Sequence, residues 1–362
     1  MSFDLTKLKS LFKFSLGNKE DAPIIGVDVG TSAVKIVQLH NEDGVPTLDT
    51  YGELQLGPYA DLDIGQTASV PAGRLIEAFV DIIRESSVTG NSAALSISYA
   101  ASFSTTIIIN ALDEADIAKQ VPIEARKYIP VPLSEVTLDW FTLSTDESAG
   151  QTKLFLVAIH NEALNQLRNV LTSAGLSLTY TELEPFSTSR AILSSGVTTA
   201  AILDLGASAT KVYLVQDGIM QKTHSIPHGG VMFTESISKA GNITFAQAET
   251  QKRSAGLVAG SGNDGVGQVL RDSMSRMTRE LGKVVGDYEQ QNSAKIETVL
   301  MMGGGAAMPG ISAYMQDNLQ KRISLATPFN KVAYPAFLED SLKEAGPSFA
   351  VAVGAALRQF NS

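Results

Sequence analysis

Gly26-Val27-Asp28-Val29-Gly30-Thr31-Ser32 and Leu203-Asp204-Leu205-Gly206-Ala207-Ser208-Ala209-Thr210 are two readings of one pattern. In each, a short apolar run ends in an aspartate, a glycine stands two residues further on, and small residues follow before a new β-branched segment (Val34 to Leu39; Lys211 to Val215). An aspartate at the end of a strand is placed to hold a hydrated metal ion. The glycine lets backbone approach an anion, and the turn aims amides and hydroxyls at it. Two such hairpins in one chain imply two similar half-domains closing on one polyphosphate. A single Asp-x-Gly turn is usually only a hairpin, since both residues favour turns. A third element adds weight: Leu300-Met301-Met302-Gly303-Gly304-Gly305-Ala306-Ala307-Met308-Pro309-Gly310 reads as strand, glycine turn and helix. Such turns bring backbone close to a nucleotide.

Composition narrows the classes. A chain of 362 residues exceeds a single core and implies subdomains. It carries 28 basic against 38 acidic residues, a net charge of −10, which argues against a general nucleic-acid surface. The absence of cysteine excludes disulfides and thiolate metal sites. His40, His160, His224 and His228 are scattered without zinc spacing. No apolar run approaches the ~20 residues of a membrane span. Lys9, Ser10 and Lys13 interrupt any signal-peptide core, so the cytoplasm is the expected compartment.

The periodicities predict an α/β chain. A hairpin over Ile24 to Leu39, a strand over Tyr51 to Leu56, a helix over Val70 to Ser86 and a strand over Ala93 to Ser98 make the first half-domain, residues 22–103. Residues 104–183 read as an insert of strand, helix, two strands, helix and strand, a ferredoxin-like order. A connecting helix, Ser187 to Ser194, falls in 184–199. The second half-domain, 200–345, repeats the plan with helices ending near Lys239 and over Phe245 to Arg253, a glycine-rich loop from Gly256 to Gly267, and a long helix from Gly267 to Asn292. A terminal helix over Ser348 to Phe360 falls in 346–362. Residues 1–21 stand apart. Leu5, Leu8, Phe12 and Leu16 form a stripe on a helix carrying Lys7, Lys9 and Lys13. The segment is either a docked or loose terminus, or a basic amphipathic helix making peripheral membrane or partner contact through residues 1–18.

These motifs resemble the actin, heat-shock and sugar-kinase ATPase superfamily, and within it the type IV pilus assembly family PilM, relatives of the division protein FtsA. The resemblance is carried by Gly26 to Lys35, Ile123 to Pro132, Leu138 to Phe141, Leu154 to Ile159, Glu184 to Ala191, Ser225 to Gly230 and Phe349 to Leu357. It implies an actin-like fold of two half-domains with an inserted subdomain of the strand-helix-strand-strand kind. It implies ATP and Mg as ligands, with Asp28 and Asp204 positioning the metal through water. Gly30, Thr31, Ser32, Gly206, Ala207 and Ser208 would meet the phosphates, with Gly229 and Gly230 in the turn beyond. Lys35 is either a phosphate contact or a solvated strand residue. Glu249 and Lys252 would meet ribose and adenine, and Gly303, Gly304, Gly305 and Ala306 would pack on the adenosine. Glu184 is either the carboxylate that orients attacking water or a charge favoured at a helix N-terminus.

The function so implied is an ATP-binding cytoplasmic scaffold of a pilus or related secretion machine, at the inner face of the membrane and at most a weak ATPase. Its expected partner is the N-terminal cytoplasmic segment of a PilN-like inner-membrane protein, held between the insert and the first half-domain. Tyr128, Ile129, Trp140 and Phe141 are the anchor candidates, and at least two of them are expected in the insert's own core. Two alternatives stay open. An FtsA-like division protein would carry a C-terminal amphipathic helix, whereas this chain stops after its core helix. A sugar or metabolite kinase would need a substrate-base aspartate that the insert does not display.

Overall fold

The computed structural model describes residues 22–194, 199–258 and 264–361. The amphipathic segment expected over 1–21 lies outside them, as does much of the expected glycine-rich loop.

Ile24–Val29 (β1) is apolar on both faces, as a central strand must be, and Ile24, Ile25 and Val27 have no solvent exposure. It turns back through Ala33–Glu42 (β2), which pairs in turn with Val45–Gln55 (β3). Helix Ala72–Glu85 (α1) buries Leu75, Ala78, Phe79 and Ile82, spaced to face one side, and leads to Ser92–Ile97 (β4), parallel to β1. The insert follows as Ser102–Ile109 (β5), Glu114–Ala125 (α2), Val136–Asp146 (β6) and Gln151–His160 (β7). Asn161–Ser173 (α3) and Ser177–Leu183 (β8) return the chain to the first half-domain. The first sheet has the order β3-β2-β1-β4-β8.

The second half-domain repeats this arrangement. Thr199–Leu205 (β9), Thr210–Gln216 (β10) and Ile219–Ile226 (β11) form the antiparallel part. Helices Gly230–Gly241 (α5), Phe245–Ser254 (α6) and Asp264–Asn292 (α7) precede Thr298–Met302 (β12). Ile311–Leu319 (α8) then leads to Arg322–Leu325 (β13). The sheet order, β11-β10-β9-β12-β13, is that of the first sheet element for element, so the twin half-domains expected from the paired motifs are present.

Glu184–Ile192 (α4) and Glu339–Ala356 (α9) join the halves. Their contact is backbone on backbone. A Cβ on Gly354 would lie 1.8 Å from the Ser187 carbonyl, and one on Gly26 1.9 Å from the Ala352 carbonyl, so only glycine allows this approach of α9 to α4 and β1.

Four differences from the sequence reading have physical causes. The insert's linear order is as expected, but β8 pairs with β4, so the insert's own sheet is the three-stranded β5-β7-β6. Leu164, Val170 and Leu171 of α3 join the first half-domain's core, which draws β8 with them. Helix α4 starts at Glu184 rather than Ser187, because Pro185 in a first turn forfeits no hydrogen bond. Helix α9 starts at Glu339 rather than Ser348 and contains Pro347. An interior proline costs about 3 kcal/mol, and the burial of Leu342, Phe349 and the residues after it offsets this. Helix α7 starts at Asp264, taking in part of the expected loop.

Candidate functional site

The two hairpin turns have the same geometry. The Gly30 amide donates to the Ala33 carbonyl at 3.0 Å, and the Gly206 amide to the Ala209 carbonyl at 3.1 Å. Their tips meet: the Thr31 hydroxyl donates to Ser208 Oγ at 3.3 Å. The amides of Thr31, Ser32, Ala207 and Ser208 have no acceptor among the described residues and are available to an anion.

Beneath the tips lie two buried carboxylates, Glu184 and Asp204, and the half-buried Asp28. Asp28 is paired in register with Lys35 across β1–β2, and Asp204 with Lys211 across β9–β10. Lys211 Nζ stands 2.5 Å from Glu184 Oε1 and 3.3 Å from Asp204 Oδ2. The other Glu184 oxygen accepts the Tyr99 amide at 3.1 Å. Burial pushes the Asp28 carboxyl up to about 6, against the pull of Lys35. Burial likewise pushes Asp204 up to about 7, opposed by Lys211 and assisted by the charge of Glu184. Burial opposes ionisation of Glu184 too, but Lys211 and the Tyr99 amide outweigh it and hold that carboxyl below its ordinary range.

The residues expected on an adenosine side lie on α6, beside α5, and in the triple glycine. A capping box starts α6, with the Gln247 amide donating to Thr244 Oγ1 at 3.3 Å and the Thr244 amide to Gln247 Oε1 at 3.0 Å. This sets Glu249 and Lys252 on the helix face toward α5. Lys252 Nζ lies 2.6 Å from Glu249 Oε2 and donates to Thr234 Oγ1 at 2.7 Å and to the Gly230 carbonyl at 3.1 Å. Gly229 packs on the Ala207 carbonyl, and the Gly230 amide donates to the Gly206 carbonyl at 3.0 Å. These two glycines therefore brace the second turn, and the Gly230 amide is not free for an anion. Gly303 has φ +86° and touches Asp204, while the space a side chain at Gly304 would fill is open. Gly305 packs on Leu205, and Ala306 is buried.

This arrangement fits a nucleotide. Free amides line both turns, Gly304 borders open space, and Ser96 Oγ, the register neighbour of Asp28, is buried without a partner. A directly ligated metal fits less well. Among the described residues no three carboxylates or imidazoles gather around one point, and Asp204 already faces an ammonium.

The structure brings together the expected site residues, Lys35 among them: it stands opposite Asp28 across β1–β2 and pulls on that carboxyl, without a side-chain hydrogen bond or close ion pair among the described residues. The reading missed Lys211, Tyr99 and Thr234. It also missed Gly65, in the loop after β3, where a Cβ would stand 3.1 Å from Glu249 Oε1 across the cleft. Lys211 was findable: Asp28 to Lys35 and Asp204 to Lys211 have the same spacing. Tyr99 and Gly65 carry no local signal.

A second feature is a crevice between the insert and the first half-domain, lined by Asp139, Trp140, Phe141, Thr181, Phe186 and Arg358 among others. Strands β6 and β8, which flank it, are edge strands of their sheets. Phe141 packs on Phe155 and Phe186, with centroids 5.2 Å away in each case. Burial pushes the Asp139 carboxyl up to about 7. Of the four anchor candidates, Ile129 is in the insert core, Trp140 packs against that core and also lines the crevice, Phe141 lines the crevice, and Tyr128 is exposed elsewhere.

Twin sheets of identical strand order, meeting at paired glycine turns and carrying a subdomain after the fourth strand, define an actin-like ATPase fold. The chain belongs to the type IV pilus assembly protein PilM family, whose family model matches residues 26–360. It is similar to the solved PilM-PilN type IV pilus biogenesis complex at TM-score 0.80 and 25% identity, covering 94% of this chain and 98% of that one. It is more distantly similar to the cell division protein FtsA of Bacillus subtilis, 23% identical over 357 residues, 84% of this chain and 78% of FtsA. MreB5 of Spiroplasma citri bound to AMPPNP shares the fold at TM-score 0.51 and 16% identity, over 93% of this chain and 95% of that one. No helix among the described residues is long and apolar enough to cross a membrane.

Proposed function

We propose that this chain is an ATP-binding scaffold of type IV pilus assembly at the inner face of the membrane, and that its crevice takes the N-terminal segment of a PilN-like membrane protein. The observation that carries this reading is the meeting of the two hairpin tips at Thr31 and Ser208 above Asp28 and Asp204. A triphosphate held there by Gly30, Thr31, Ser32, Gly206, Ala207 and Ser208 would bind both half-domains at once. Ligand bound by both halves stabilises their closed relation. Magnesium would enter with the phosphates, facing Asp28 and Asp204 through water and offsetting phosphate charge. Glu249, Lys252 and Gly303 to Ala306 would form the adenosine side. Glu184, tied to Lys211, is poorly placed to take a proton from water, which favours holding nucleotide over turning it over.

For the partner, the crevice offers two sheet edges and aromatic side chains. An extended peptide binds such an edge through its main chain and is selected through neighbouring pockets. Trp140→Ala is expected to weaken binding of a synthetic peptide of the partner's N-terminal segment by at least roughly tenfold, as aromatic anchors do. Tyr128→Ala, outside the crevice, is expected to bind as the unaltered chain does. Calorimetry with both variants, each shown by thermal melting to be folded, decides. Equal loss in the two, or loss in neither, places the peptide elsewhere.

A further inference from the structure

The two hairpins present equivalent lysines that do different things. Lys35 and Lys211 each stand opposite the aspartate of their own hairpin. The Lys35 side chain makes no hydrogen bond or close ion pair among the described residues and acts on Asp28 through its charge alone. Lys211 is drawn under the turns, 2.5 Å from Glu184 and 3.3 Å from Asp204, with only 16% of its side chain exposed. Glu184 and Asp204, both buried, and Asp28, half-buried, raise one another's charge cost beneath the turns. Like charges so placed repel strongly at low dielectric, and a cation there is what makes anion binding feasible.

We infer that Lys211 is a resident cation of the nucleotide cleft, which offsets the charge that Glu184 and Asp204 bring together and leaves ATP binding only weakly dependent on divalent metal. The inference rests on reading this cleft as a nucleotide site and adds a specific property to it. Of the two carboxylates expected to orient the metal, Asp204 is already engaged, and Asp28 alone remains beside Lys35. No three-ligand cage gathers among the described residues to make up the difference. The ammonium is fixed by the fold: Lys211 lies on β10, and Glu184 is held from the opposite side by the Tyr99 amide. The charge is therefore present before any ligand arrives and needs no ion from solution.

The test is calorimetric titration of the full chain with ATP, once in EDTA and once in excess magnesium. The unaltered protein is expected to show affinities within roughly threefold in the two buffers, a difference well under 1 kcal/mol. Lys211→Gln, which keeps hydrogen-bonding capacity without charge, is expected to lose at least roughly tenfold in EDTA and to recover most of it in magnesium. Lys211→Arg, which keeps the charge, is expected to retain the metal-insensitive pattern. Thermal melting checks that each variant folds, and if Lys211→Gln does not, the unaltered protein and Lys211→Arg still decide. An unaltered protein that loses tenfold or more in EDTA overturns the inference while leaving the nucleotide reading intact. A folded Lys211→Gln as insensitive to magnesium as the parent also overturns it. ATP binding in neither buffer overturns the nucleotide reading and this inference together.

Discussion

Gly303→Ala is expected to lower ATP affinity by about 100-fold, the scale set by displacing a site group by an ångström. The added Cβ would lie 2.4 Å from Asp204 Oδ1 and 2.7 Å from the Leu205 carbonyl, at a residue whose φ of +86° disfavours any side chain. Something must move, and the nearest atoms belong to the carboxylate at the end of β9. The Gly303 amide also donates to the Pro347 carbonyl at 2.8 Å, so the strain is shared with α9. Strained backbone and overpacking together cost about 2–4 kcal/mol. Gly286→Ala is the control, since Gly286 lies in α7 away from the cleft and no atom lies within 4 Å of its added Cβ. Calorimetry and thermal melting of both variants check the expectation. Equal, small losses in the two would mean that the triple glycine is a spacer rather than a support of Asp204.

The largest loss of stability is expected from Glu182→Ala, about 3–5 kcal/mol, the cost of stranding buried charge. Glu182 is almost fully buried. It accepts from both terminal nitrogens of Arg190, from Arg358 Nη1 at 2.8 Å and from Ser187 Oγ at 2.6 Å. Arg190 donates onward to the Gly354 carbonyl at 2.7 Å, tying β8, α4 and α9 at the junction of the halves. Burial alone would raise this carboxyl, but the two guanidiniums hold it below its ordinary 4.5. A lowered carboxyl contributes stability above its unfolded pKa and loses it as pH falls through the folded value. The penalty of Glu182→Ala should therefore be full at pH 7 and shrink in acid, below the ordinary carboxyl range. Urea denaturation at pH 7 and at pH 3 reads both quantities. A loss under about 1 kcal/mol at pH 7 would place the cluster in the regime of exposed ion pairs.

Much of this architecture was legible because the chain repeats itself. Asp28 and Asp204, each followed by a glycine turn and a β-branched run, mark equivalent strands, and the sheets built on them have the same order. Elements expected from periodicity were found where one face is buried, as with Leu75, Phe79 and Ile82 of α1. Prolines misled the boundaries. Pro185 and Pro347 look like breakers, yet one sits in a first turn and the other in a helix whose packing outweighs the lost bond. The membership of β8 was not legible, because hydrogen bonding to β4 depends on where α3 packs. At the site, the residue types at the turns were readable, but their partners were not. Glu184 reads as an available carboxylate, and only the folded chain shows Lys211 and Tyr99 closing on it. Lys35 and Lys211 look alike in sequence, and only the folded chain shows that Lys211 pairs with Glu184 and Asp204.

We propose that ATP in the cleft tightens the hold of the crevice on a PilN-like peptide. A physical route joins the two: Glu184 accepts the Tyr99 amide, Tyr99 lies in the turn that opens the insert, and β6 of that insert borders the crevice. The direct measurement is the calorimetric affinity of the full chain for the partner's N-terminal peptide, with and without saturating ATP. Coupling between sites commonly amounts to 1–3 kcal/mol, and the account predicts peptide binding tighter by at least roughly fivefold with ATP, with ATP tightened equally by the peptide. Peptide affinity unchanged by ATP, in a protein that binds both, would contradict it.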